Sequence, residues 1–224
     1  GAMYRSNIGA RIVTPFLDYS GIRNIDSILI SHNDTDHING IPEIAEHCNI
    51  GAVYANNDFF SQKDTWGTAS FLNECLHEMN MEIKHLDPNH VFSDKARIEI
   101  LWPLNESGYE KKLSDNDKSL VILIEFAGAK IILCSDIEQF AQKELLRLYP
   151  DLKADIIVVP HHGSLNTLEP DFLDSLNAEV LICSTDKTPA ISGSKQTFYT
   201  SRDGAINASI DMNGKIKVRT YNKR

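Results

Sequence analysis

Cysteine is scarce and scattered: Cys48, Cys75, Cys134 and Cys183 form no CxxC pair, which leaves no spacing for a zinc ribbon or a dithiol redox motif. Cys134 and Cys183 sit inside apolar runs and read as small buried hydrophobes of a reduced protein. Long apolar runs are missing too. No stretch approaches the roughly 18–20 continuous apolar residues of a membrane-spanning helix, and the amino end lacks the basic, apolar and small-residue order of a signal peptide. The opening Gly-Ala-Met resembles a cloning remnant, so a targeting segment upstream of it stays open. Positive charge is also short. Lys and Arg number 22 against 31 Asp and Glu, a formal net charge of -9, which argues against holding nucleic acid by a broad basic surface. With no internal repeat, low-complexity tract or composition break, residues 1–224 are expected to form a single domain.

What the chain has instead is a series of short β-branched runs bounded by turn residues: 27–30, 50–55, 97–102, 119–126, 130–135, 155–160 and 179–184. Their length and flanks predict strands. Helical spacing follows His37 through Cys48 and recurs over 68–80 and 138–149. Gly128 within "EFAGAKIIL" and Asn-Gly within "DMNGKIKV" predict hairpins. Strand–helix units mixed with hairpins imply a layered α/β domain.

Candidate ligand groups follow three of these strands. "SILI" runs into His32, "KIILCS" into Asp136, and "DIIVVP" into His161 and His162; ligand sites of such sheets gather at the carboxyl ends of strands. "SHNDTDHING" adds Asp34, Asp36 and His37 to His32. An extended backbone through residue 34 would turn His32 and Asp34 to one side, and Asp36 suits the positive start of a helix. Asp34 or Asp36 alone would be read as an N-cap, but a cap needs one carboxylate and no imidazole. Asp136 alone would be a turn residue; the adjacent "HHGS" makes it a candidate ligand. His47, His77, His85 and His90 show no partner pattern and read as structural or exposed.

The motifs "HNDTDH", "LCSDIE", "VVPHHGS" and "SRDGAI" resemble the metallo-β-lactamase superfamily, and within it the hydrolase-like domain of ComEC-type DNA-uptake proteins and their soluble relatives. The likeness runs from about residue 12 to about residue 210. It implies an α/β fold of the four-layer αββα kind with two divalent metal ions, Mn or Zn. Carried over by position, it implies His32, Asp34 and either His161 or His162 on one metal, with His161 preferred, Asp36 and His37 on the other, and Asp136 bridging. Asp36 and His162 are then the candidate catalytic groups. Asp34 stands where the superfamily has a second histidine, and "DNDKS", with Asn116 and Asp117, stands where it has another. The family's opening strand pair has no counterpart here, and "TDKTPAISGSKQTFYT" replaces a helix of the subgroup. A trimmed chain or one joined across missing segments near Met3 and Ala190 would account for both departures.

The expected activity is a metal-dependent phosphodiesterase or nuclease, since paired cations can activate a shared water and clamp both oxygens of a displacement. Replacing an imidazole by Asp34 hardens the ligand shell toward Mn²⁺, while Zn²⁺ still accepts carboxylates. Lys118, Ser164 and Arg202 are candidates to touch a substrate phosphate, Arg202 through its bidentate fork. A nucleic acid or nucleotide is the implied substrate, and a partner domain could deliver it. Two alternatives stay open: a lactonase or β-lactamase-like hydrolase, and a metal-poor binding domain. Location is cytoplasmic for a stand-alone protein and outside the inner membrane for an excised uptake domain.

Overall fold

In a computed structural model, residues 7–63, 67–87, 92–93, 95–103, 113–187, 191 and 195–222 are described. The stretches near Met3 and Ala190, and His90, lie outside the described residues. Contacts cluster into two compact units, Gly1–His90 and Val91–Arg224.

The first unit opens with a π-helical turn, Gly9–Val13, that continues into α1 (Thr14–Tyr19). Then come β1 (Asn24–Ile25), β2 (Ile28–Ile30), α2 (Thr35–Ile38), α3 (Ile41–His47), β3 (Asn49–Ile50), β4 (Val53–Ala55), α4 (Asn57–Gln62), α5 (Thr68–Glu78) and β5 (Ile83–His85). β2, β4 and β5 form a parallel sheet in the order β2-β4-β5, and β1 pairs with β3 in a separate parallel ribbon. The run at 50–55, expected as one strand, is therefore two strands in two sheets. Gly51 marks the break, because a Cβ there would lie 2.7 Å from the Asp26 carbonyl oxygen. Ala69, Leu72 and Leu76 of α5 fall at helical spacing and bury, with Phe59 of α4 and Ile30 of β2, into one apolar cluster. At the other end, Gly9 packs so closely that a Cβ would sit 2.6 Å from the Gly40 carbonyl oxygen.

The second unit is built on six strands: β6 (Arg97–Trp102), β7 (Val121–Phe126), β8 (Ala129–Leu133), β9 (Ile156–Val158), β10 (Val180–Cys183) and β11 (Gln196–Tyr199). They pair in the order β11-β10-β9-β8-β7-β6. β8 through β11 are parallel, while β6, β7 and β8 are successively antiparallel. The Gly128 hairpin is realised as β7–β8, with Ala127 and Gly128 both at positive φ (50° and 85°), the conformation that a right-twisted two-residue turn demands. Helices α6 (Gln139–Leu148) and α7 (Phe172–Leu176) follow β8 and β9; α8 (Thr200–Asp203) follows β11. β12 (Ala205–Ile210) and β13 (Ile216–Tyr221) form a hairpin of their own. Its Asn-Gly is not a two-residue turn, because the Asp211 carboxylate accepts the Asn213 and Lys215 amides and organises a wider loop.

The chain thus has the mixed α/β fold class expected of it. Among the described residues, no helix is long and apolar enough to cross a membrane.

The core of the second unit includes Cys134, directly after β8, and Cys183 of β10, each fully buried. Burial alone raises both thiols, that of Cys183 to about 12 and that of Cys134 further. Neither forms thiolate near neutrality, so alkylating reagents should leave Cys134 and Cys183 unmodified in the folded chain and label both after denaturation. Mass spectrometry of peptides labelled before and after unfolding would check this.

Candidate metal centre

In the first unit, the donor segment begins where β2 ends at Ile30. Asp34 occupies the N-cap position of α2 with an extended backbone (ψ 143°), yet its side chain makes no capping hydrogen bond. Its Oδ2 lies 3.6 Å from Nε2 of the buried His32 instead. Two residues on, Asp36 Oδ2 lies 3.7 Å from Nε2 of His37. The two imidazoles lie with ring centroids 4.0 Å apart and planes tilted by 49°. On their far sides Ser31 Oγ stands 3.1 Å from His32 Nδ1 and 3.4 Å from His37 Nδ1. A hydroxyl has two lone pairs, so Ser31 can accept both Nδ1–H groups and leave both Nε2 lone pairs toward the carboxylates.

The second unit repeats the arrangement. Because β8, β9 and β10 are parallel neighbours, the loops after them lie side by side: buried Asp136 after β8, His161 and His162 after β9, Ser184 after β10. Asp136 Oδ2 is 3.6 Å from His162 Nε2. His162 Nδ1 is 2.8 Å from the Ser184 carbonyl oxygen, and a carbonyl only accepts, so Nδ1 carries the proton and Nε2 the lone pair. His161 differs: its buried Nδ1 makes no hydrogen bond among the described residues and lies 3.5 Å from Glu138 Oε1. Ser135, His161 and His162 all have left-handed backbones (φ 48°, 48° and 56°), and the His161 amide donates to the Ser135 carbonyl at 2.9 Å, tying the two loops. Three such non-glycine residues in two adjoining loops store backbone strain of the kind found at functional sites.

The donor chemistry fits a divalent cation. A gap of 3.6–3.7 Å is too long for a hydrogen bond. It is close to the roughly 3.4 Å that separates two tetrahedral ligands with bonds of about 2.1 Å. Nδ1 held by a hydroxyl or carbonyl with Nε2 presented is also the usual tautomer of a metal-binding histidine.

The remaining candidates are placed differently. Asp117 is buried, and its carboxylate accepts the Glu138 and Ala141 amides at 2.8 and 3.2 Å, capping α6 from outside the helix. Asn116 donates to Glu138. Lys118 pairs with Asp115 at 2.8 Å. Ser164 closes the tight turn after the histidines, its amide donating to the His161 carbonyl. The Arg202 fork grips Asp203 through Nε and Nη2 at 2.9 and 2.7 Å, donates to the Thr197 carbonyl, and lies over Tyr199. A phosphate at Arg202 would therefore compete with this chain's own carboxylate. His47 pairs with Asp18 and His85 stacks on Phe60, as structural histidines do.

Sequence reasoning missed Ser31, Ser184 and Asp203. Ser31 directly precedes His32 and was open to notice; Ser184 acts through its backbone, which leaves no mark in the letters.

Comparison with known proteins matches residues 5–172 to a family described as a beta-lactamase superfamily domain. The chain is similar to ComE operon protein 3 of Bacillus subtilis (strain 168), 26% identical over 221 residues, covering 97% of this chain and 27% of that protein. It is also similar to competence protein ComA of Neisseria gonorrhoeae, 24% identical over 174 residues, covering 77% of this chain and 22% of that protein. The chain thus spans about a quarter of these relatives. Among solved structures, the metallo-beta-lactamase fold protein YhfI of Bacillus subtilis is 12% identical with a TM-score of 0.47, covering 86% of this chain and 77% of that one.

The Arg202 guanidinium beside Asp203 holds that carboxyl below its ordinary range through their hydrogen bonds. A depressed carboxyl contributes stability that is present above its unfolded value and lost as pH falls through the folded one. Asp203→Asn should therefore lower the melting temperature at neutral pH, with the deficit shrinking only as pH falls below about 4. Thermal unfolding of both proteins across that range would test it.

Proposed function

The chain belongs to the beta-lactamase superfamily, and from that premise we propose that it is a metal-dependent phosphodiesterase or nuclease. The observation that carries the proposal is the threefold repeat of one arrangement. His32, His37 and His162 each face Nε2 toward a carboxylate across 3.6–3.7 Å, with Nδ1 beside a hydroxyl or carbonyl oxygen. In this reading His32, Asp34, Asp36 and His37 of the first unit are metal ligands, and Asp136 and His162 of the second unit are metal ligands in their own right. His162 takes the ligand role in preference to His161, because only His162 has its Nδ1 proton pinned. His161, beside Glu138, is then the group left for a proton or a substrate oxygen.

Bound divalent ions would lower the pKa of a water and offset charge on a phosphodiester. The chain's own groups do the rest. Ser31 and the Ser184 carbonyl fix the imidazole tautomers, and the Asp36 carboxylate, in the first turn of α2, would take the proton of the attacking water on Oδ1, the oxygen not turned toward His37 Nε2. In the first unit two of the four ligands, Asp34 and Asp36, are carboxylates, a hard and anionic share that favours Mn²⁺ over Zn²⁺. Similarity to competence proteins supports a nucleic-acid substrate. A net charge of -9 favours delivery of the strand by a further domain over capture by this one.

Purified chain should hold divalent metal by mass spectrometry and cleave single-stranded DNA with Mn²⁺. Asp36→Ala should lower the rate about 100-fold or more. A chain that binds metal but cleaves no phosphodiester with Mn²⁺, Mg²⁺ or Zn²⁺ would overturn the proposed activity.

A further inference from the structure

Asn33 stands between two proposed ligands, His32 and Asp34, and is gripped twice. It is 8% exposed. Its Nδ2 donates to Asp58 Oδ2 at 3.1 Å, and its carbonyl accepts the Thr68 hydroxyl at 2.5 Å. Asp58 Oδ2 also accepts Gln62 Nε2 at 3.0 Å, one turn along α4. The topology explains the meeting. β2 and β4 are parallel neighbours with Ile30 opposite Ala55, so the loop after β2 and the start of α4 after β4 emerge together. Thr68 begins α5. One helix therefore holds the Asn33 side chain and another its main chain.

The grip reaches the donors through the backbone. Asp34 is half exposed, at 53%, and its side chain makes no capping bond, so its direction depends on the peptide that joins it to Asn33. That peptide's oxygen is the one Thr68 holds. We infer that Asp58 is a positioning residue for the metal loop: through Asn33, and together with Thr68, it fixes the peptide that aims His32 and Asp34. This rests on the metal-binding reading given above. Asp58 acts in this account through the hydrogen bond it accepts from Asn33.

The account separates a hydrogen-bond role from a charge role. An asparagine at 58 keeps an acceptor oxygen for Asn33 and loses the negative charge; an alanine loses both. Calorimetric titration of the whole chain with Mn²⁺ and with Zn²⁺ would compare native protein, Asp58→Ala, Asp58→Asn and Thr68→Val. Affinity should fall roughly 10- to 100-fold in Asp58→Ala, fall in Thr68→Val, and stay near native in Asp58→Asn. Thr68→Val keeps shape while removing only the hydroxyl, so it tests the same grip should Asp58→Ala fail to fold. Native affinity in folded Asp58→Ala, or in Thr68→Val should Asp58→Ala not fold, would overturn the inference alone. So would an Asp58→Asn as weak as Asp58→Ala, since charge would then be responsible. A native chain that binds neither ion would overturn both the inference and the metal-binding reading beneath it.

Discussion

A neutral imidazole offers one lone pair, and the nitrogen that carries it is decided by what the other nitrogen touches. The local structure around His32, His37 and His162 is organised by that constraint. Ser31 serves two rings from one hydroxyl, and the end of β10 serves the third with a carbonyl. Each lone pair is then turned toward a carboxylate that stays just beyond hydrogen-bond range. At such spacing a ring and a carboxylate are too far apart to hydrogen-bond, and a shared cation would serve both.

Parallel strand order produces this arrangement in each unit. Ladders between β8, β9 and β10 align three loop starts, so that groups far apart in sequence share one edge. The same logic joins the loop after β2 to α4 in the first unit. Strands are short, three to six residues in these sheets, and most of their side chains are buried or half-buried. The hydrophobic run is thus spent on packing, and polar residues begin where the strand stops. Asp117 and Trp102 extend this economy at the far side of β6. The Trp102 indole donates to the Asp117 carbonyl at 2.6 Å while the Asp117 carboxylate caps α6, so the helix after Asp136 is anchored to the sheet edge.

Much of this was legible in the letters, for reasons that can be named. Runs such as "RIEILW" and "KIILCS" read correctly as strands because β-branched residues cluster at strand length between turn residues. "IGAVYA" did not, because its division depends on the Asp26 carbonyl closing on Gly51, a contact with no local signature. The helix at Gly9–Tyr19 also escaped notice. Ile12, Phe16 and Tyr19 recur at helical spacing but lie on its exposed side, at 60%, 57% and 92%, so the pattern does not mark a buried face. At the candidate site, residue types and positions were legible while roles were not. Asp34 could be weighed as a cap or a ligand from sequence, and only the structure shows that its side chain makes no cap bond. His161 and His162 are neighbours whose difference lies in the distant Ser184 carbonyl. Arg202 looked available because nothing in "SRDGAI" says that the adjacent Asp203 folds back onto it.

The left-handed backbones of His161 and His162 bear on how this loop can change over generations. Asparagine and glycine tolerate that conformation far better than alanine or any β-branched residue. Variation at these two positions is thus limited by the turn the chain must make, and in the proposed centre by the imidazole nitrogen as well. A lineage that gave up the chemistry would be expected to drift here first to asparagine or glycine, keeping the bend after the imidazoles were gone.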